Sequence, residues 1–157
     1  QQTRRRYISA FLAVDLNADG WVDMLAGFSL GYTMTIYLND RNESFHDPKL
    51  LEFITNSAHS LAVGDLNGDD RVDIAFLCGY PRFVGILLAD GHYSFSNVTR
   101  YPIKITDYVA GLAMGYFNDD RFLDIAVTNG GKENVWVLMG FGDGTFGNLW
   151  TFSTGYG

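Results

Sequence analysis

Cysteine, proline and glutamate are all scarce in this chain: one, three and three residues respectively out of 157. With Cys78 alone no internal disulfide can form, so a disulfide-stapled scaffold is excluded. Its place in the apolar run 74–78 predicts a buried small hydrophobe. The three Glu stand against 15 Asp, and aromatics reach 15%. That mixture disfavours helix, because Asp is a poor helix former and aromatic side chains suit pleated surfaces. No apolar run approaches the roughly 18 residues of a membrane span, so no direct membrane insertion is expected. Positive charge is also short, 11 Lys and Arg against 18 acids for a net charge of -7, which excludes nucleic acid as the main partner. An initiator Met is missing as well, and no signal-like apolar stretch follows Arg4, Arg5 and Arg6, as expected of a segment excised from a longer chain. What is present fits one ordinary globular unit: 47% hydrophobic residues and a mean hydropathy of 0.00.

The chain repeats itself. Leu12 to Asp23 reads LAVDLNADGWVD, Leu61 to Asp73 reads LAVGDLNGDDRVD, and Leu112 to Asp124 reads LAMGYFNDDRFLD. Anchored on the last Asp, the segments recur after 50 and then 51 residues, and Phe45, Phe95 and Phe146 mark a second landmark with the same spacing. Approximate repeats are 8–57, 58–107 and 108–157. Each holds four short apolar runs separated by turn residues; in the second these are Leu61–Val63, Asp73–Leu77, Phe83–Leu88 and Tyr93–Val98. None reaches helical length. Tandem four-stranded units of this size predict an all-β protein of antiparallel β-propeller blades, with a stacked β-solenoid as the alternative. Closure of a propeller takes about four to eight blades, so three repeats predict part of a ring.

Ten of the fifteen Asp fall in three loops. The first runs Asp15-x-Asn17-x-Asp19-Gly20-x-x-Asp23. Like charges this dense repel unless something cancels them, and hard oxygens at alternate positions are what calcium takes. Asp15, Asn17 and Asp19 supply side chains at positions 1, 3 and 5, Trp21 a carbonyl at position 7, and Asp23 closes the set at position 9. Gly20 allows the sharp turn. The second loop repeats this with Asp65, Asn67, Asp69, the Arg71 carbonyl and Asp73, and Asp70 in place of the glycine. Asp tolerates a left-handed backbone better than most residues. The third loop has Tyr116 at position 1, leaving a weak set of Asn118, Asp120, the Phe122 carbonyl and Asp124. An EF-hand is excluded, because position 12 is Ala26 or Phe76 rather than Glu and no helices flank the loop. Zinc lacks its usual ligands. The alternative for all three loops is a set of Asx-type turns between strands.

On these residues the chain resembles the FG-GAP or VCBS-type repeat. The resemblance rests on Asp65-Leu-Asn-Gly-Asp-Asp-Arg-Val-Asp73-Ile-Ala and Asp124-Ile-Ala-Val-Thr-Asn-Gly-Gly. It extends to Val135-Trp-Val-Leu-Met-Gly and Gly142-Asp-Gly-Thr-Phe146, and runs from about Ile8 to Phe152. It implies a segment of a seven-bladed propeller related to the head of integrin α subunits, with structural calcium in the loop joining the first two strands of a blade. The namesake Gly-Ala-Pro is replaced by Gly79-Tyr80-Pro81.

Asn42-Glu-Ser and Asn97-Val-Thr fit the N-glycosylation acceptor, which together with loops suited to millimolar calcium predicts an extracellular address. His46, His59 and His92 are not placed together by the pattern, and no catalytic triad or nucleophile turn is legible, so no enzyme is expected. Gly140-x-Gly142-x-Gly144 lacks the helix start of a dinucleotide site and reads as a hairpin turn. Trp21, Trp136 and Trp150 suit either packing between blades or stacking on a sugar. The expected function is a non-catalytic calcium-binding scaffold for an extracellular protein or glycan. The alternatives are a lectin or the propeller domain of a larger carbohydrate-active enzyme.

Overall fold

Short runs rich in Val, Ile, Leu and aromatics, cut every few residues by Asp, Asn or Gly, commit the backbone to strands joined by turns. In the computed structural model, residues 7–28, 33–52, 58–79, 81–91, 94–103, 109–129 and 133–155 are described, and the regular elements among them are all strands. The first sheet has the order β1 (Ile8–Val14), β2 (Asp23–Phe28), β3 (Thr33–Tyr37), β4 (Lys49–Glu52). The second runs β5 (Ala58–Gly64), β6 (Asp73–Gly79), β7 (Arg82–Leu87), β10 (Thr99–Pro102), with a small ribbon of β8 (Ala89–Gly91) and β9 (Ser94–Phe95) at its turn. The third runs β11 (Val109–Gly115), β12 (Asp124–Asn129), β13 (Asn134–Gly140), β14 (Phe146–Ser153). Neighbouring strands pair antiparallel throughout. These are propeller blades, and β5 lies beside β1 on one side and β11 on the other.

One detail departs from the run pattern. The fourth strand of the second blade is Thr99–Pro102 and not Tyr93–Val98. Phe95, which pairs only in the small ribbon, and Val98 are apolar because they pack on the core between the first two blades, not because they pair in the four-stranded sheet. Ser96 instead closes a turn, its amide donating to the Leu88 carbonyl at 2.8 Å.

The middle blade shows how the wedges hold together. Every residue of β6 from Asp73 to Cys78 is buried. Ile74, Phe76 and Cys78 face the first blade with Leu25, Met34 and Ile36, while Ala75 and Leu77 face the third with Leu112, Ile125, Val127 and Trp136. Two faces buried at once explain why this strand reads as a continuous apolar run, and why Cys78 sits in it fully buried. Each large apolar side chain so buried contributes about 1.5–3 kcal/mol relative to exposure. The Phe76 ring needs room across the sheet: a Cβ on its partner Gly85 would stand 2.2 Å from the ring. By contrast the outward faces of the first and third blades expose Phe11 and Leu50, and Trp150 and Phe152. Each inner strand carries a register shift at the same place, between Ile8 and Ala10, Ala58 and Ser60, and Val109 and Gly111. Beside it the Ser9 hydroxyl crosses to the next blade and donates to the Ala58 carbonyl at 2.6 Å.

Candidate functional site

The three acidic loops join the first two strands of each blade, β1 to β2, β5 to β6 and β11 to β12. Their shape follows from short acidic side chains folding back on the loop's own amides. In the first loop, Asp15 Oδ1 accepts from the amides of Asn17 and Asp19 at 3.3 and 3.1 Å, and its Oδ2 accepts from Gly20 at 2.7 Å. In the second, Asp65 Oδ1 accepts from Asn67, Gly68 and Asp69 at 3.2, 2.7 and 3.1 Å, and Oδ2 from Asp70 at 2.9 Å. The turn at position 6 needs a left-handed residue, and Gly20, Asp70 and Arg121 stand there with φ of 86°, 62° and 66°. Asp70 therefore does take the glycine's conformation.

Positions 3 and 5 are brought into contact in every loop. The Asn17, Asn67 and Asn118 side-chain amides donate to Oδ2 of Asp19, Asp69 and Asp120 at 3.1, 2.9 and 2.8 Å. Oδ1 of the same three acids accepts from the position 7 amides of Trp21, Arg71 and Phe122 at 2.9, 3.0 and 2.9 Å. In the first two loops an arginine joins the same Oδ2. Arg41 Nη2 lies 3.1 Å from that of Asp19, and Arg71 Nη2 lies 3.5 Å from that of Asp69.

Position 9 behaves differently from the rest. Asp23, Asp73 and Asp124 are completely buried. Oδ2 of each accepts from the loop's second residue, Leu16, Leu66 or Phe117, at 3.0, 2.8 and 2.8 Å. Oδ1 of each accepts from an amide 16 residues further on, Asn39, Ala89 or Gly140, at 2.8, 2.7 and 2.8 Å. The closing Asp is a clamp tying the loop to the end of the third strand, a role absent from the ligand pattern in the sequence. Arg41 was equally hidden, since it comes from a different turn.

The electrostatics follow burial and donors. Burial, partly offset by the amides of Ala89 and Leu66, pushes the Asp73 carboxyl above its ordinary value, and the charges of Asp69 and Asp65 push the same way. Burial also opposes ionisation of Asp65, but the amides of Asp70, Gly68, Asp69 and Asn67 outweigh it and hold that carboxyl low. Asp19 is held low against the same opposition by the Trp21 amide, Arg41 and Asn17.

Among the described residues, no three His, Cys, Asp or Glu side chains converge into a ready ligand cage. The carboxylates are turned to amides and guanidinium groups. The donor chemistry nonetheless fits a hard divalent cation: three carboxylates and an amide oxygen in each of the first two loops, with mutual repulsion felt at Asp73. The third loop lacks the first carboxylate, and Tyr116, Phe117 and Phe122 are exposed there instead.

Other candidates separate. Asn42 and Asn97 are both exposed. His46 follows the Phe45 turn and His59 is on β5; His92, like Arg4, Arg5 and Arg6, lies outside the described residues. Trp136 packs between blades, whereas Trp21 and Trp150 are exposed. Gly142 and Gly144, with φ of 75° and 81°, form the turn between β13 and β14. Between the first loop and the second blade opens a cleft of about 200 Å³, lined by Asn17, Asp70, Arg71, Ser94 and Phe95 among others. Among the described residues no helix is long and apolar enough to cross a membrane.

Fold and loops together define an all-β protein of propeller blades bearing one acidic loop each. Residues 15–76 match the FG-GAP-like repeat family. Integrin alpha-6 of Gallus gallus is 32% identical over 106 residues, which is 60% of this chain and 10% of that protein. Over residues 15–76 the chain therefore carries an FG-GAP-type repeat. A solved structure concerning specific recognition of non-reducing terminal N-acetylglucosamine by an Agrocybe aegerita lectin is similar with a TM-score of 0.61. It is 18% identical and covers 92% of this chain and 38% of that one, a likeness of fold alone.

Proposed function

We infer that this chain is a non-catalytic, calcium-stabilised propeller unit that presents its loop end to an extracellular protein or glycan. The observation that carries the reading is the repeated acidic frame, built the same way on two blades. Asp15, Asn17, Asp19 and Asp23 would hold one ion, and Asp65, Asn67, Asp69 and Asp73 another, with Trp21 and Arg71 offering carbonyls. Asn118, Asp120, Phe122 and Asp124 form the weaker third set. Calcium supplies charge that the clustered acids otherwise lack, tying each loop down. Support for the extracellular address comes from the integrin likeness and from the exposure of Asn42 and Asn97, proposed glycosylation sites. The cleft beside Asn17 and Phe95, where Asn17, Asp70, Arg71 and Ser94 stand beside an apolar wall of Leu16, Val72 and Phe95, together with the lectin's fold, favours a glycan as ligand.

Melting curves in millimolar calcium and in EDTA test the metal. The expected result is a higher melting temperature with calcium, and superimposed curves would remove calcium from the reading. A glycan array tests the ligand, with glycans ending in N-acetylglucosamine as the first probe. Saturable binding lost in Asn17→Ala supports a glycan, and an array without signal turns the reading toward a protein partner.

A further inference from the structure

The two loops with a full acidic set share a feature that the third does not. In both, a guanidinium sits on Oδ2 of the position 5 carboxylate, at 3.1 Å for Arg41 on Asp19 and 3.5 Å for Arg71 on Asp69. The same oxygen also takes the position 3 amide. The arginines arrive from unrelated places. Arg71 is position 7 of its own loop, whereas Arg41 belongs to the turn after β3 and is held in a left-handed conformation with φ of 69°. Position 7 of the first loop is Trp21, so the charge missing there is delivered from across the blade. In the third loop Tyr116 replaces the first acid, position 7 is Phe122, and among the described residues no ion pair forms on Asp120. A cation therefore accompanies the acidic set wherever that set is complete.

Both arginines are about half exposed, at 55% and 47% of their side chains, so each pair is weak and swings open at little cost. A tethered positive charge on an oxygen that a divalent ion has to share lowers the affinity for that ion, because calcium affinity follows the net charge of the ligand set. We propose that Arg41 and Arg71 are affinity-setting residues, each competing with calcium for the position 5 carboxylate of its loop. The loops are thereby held in shape without metal and yield to it only at high calcium. This rests on the calcium reading above.

The test separates the two loops. Terbium luminescence sensitised by Trp21 reports the first, and calcium calorimetry in an Asp15→Ala background reports the second. Arg41→Gln is expected to tighten terbium binding at the first loop by roughly three- to tenfold, and Arg71→Gln to tighten calcium at the second by a similar factor. Arg41→Lys and Arg71→Lys, which keep the charge, should stay near the parent. Raising salt from 0.1 to 0.5 M should shrink the difference. If the parent binds and the Gln variants bind equally or more weakly, the competition is refuted while calcium binding stands. If neither ion binds the parent at millimolar concentration, the calcium reading fails and this inference with it.

Discussion

The loops 15–23 and 65–73 differ from the loop 116–124 in one place that matters, the first position, where Asp15 and Asp65 give way to Tyr116. The third loop nevertheless keeps the buried Asp124, with the same two backbone partners at the same spacing as Asp23 and Asp73. Two tasks are thereby separated within one motif. The ninth-position carboxylate is part of the blade's construction, since it stays where the acidic set is incomplete. The carboxylates at the first position shape an exposed loop around their own charge and are dispensable to the blade. The third blade spends that surface on exposed Tyr116, Phe117 and Phe122.

The comparison breaks most sharply at position 9. Asp124→Ala should destabilise the fold by about 3 kcal/mol, since the buried Gly140 amide and the part-buried Phe117 amide lose their acceptor. Asp73→Ala should cost about the same in EDTA. Urea denaturation of both variants in chelator measures this, and a silent Asp124→Ala would show the clamp to be incidental. Next in size is the calcium-dependent part. At about a hundred times its dissociation constant an ion adds about 2.7 kcal/mol per site. Asp15→Ala or Asp65→Ala should each remove one such increment from the difference between calcium and EDTA melts, while Asp120→Ala should leave it nearly whole. A smaller effect sharpens the contrast from the other side. Tyr116→Asp should raise the calcium stoichiometry seen by calorimetry from about two to about three, with the new site the weakest.

Much of this was legible in the residues, and the exceptions have physical reasons. The fifty-residue period, the four-strand unit and the acidic ladder are side-chain patterns, and they appear as blades and loops. The fourth strand of the middle blade was misplaced because edge strands such as Thr99–Pro102 bury little and leave no alternation, while Phe95 and Val98 are apolar for a packing reason. The clamp was missed because its partners are backbone amides: Asn39, Ala89 and Gly140 have nothing in common except their place. Arg41 was hidden because it meets Asp19 only through the conformation of a turn.

The smallest expected effect is a pH dependence in which position 1 and position 9 of a single loop pull in opposite directions. Asp65 is held below its ordinary value in the fold, so the folded state binds fewer protons than the unfolded chain there. Its stabilisation is present above the ordinary carboxylate range and is lost as pH falls through the lowered value. Asp73 is raised, chiefly by burial and further by Asp69 and Asp65, so the folded state binds the extra proton first. Its favourable contribution is complete below the ordinary carboxylate range and is lost as pH rises through the raised value. In EDTA, stability should therefore climb slightly as pH falls from neutral toward the raised value, then decline once Asp65 begins to protonate. Asp73→Asn should abolish the climb and keep the decline, whatever it costs in overall stability. A climb that survives in that variant would place the raised group elsewhere.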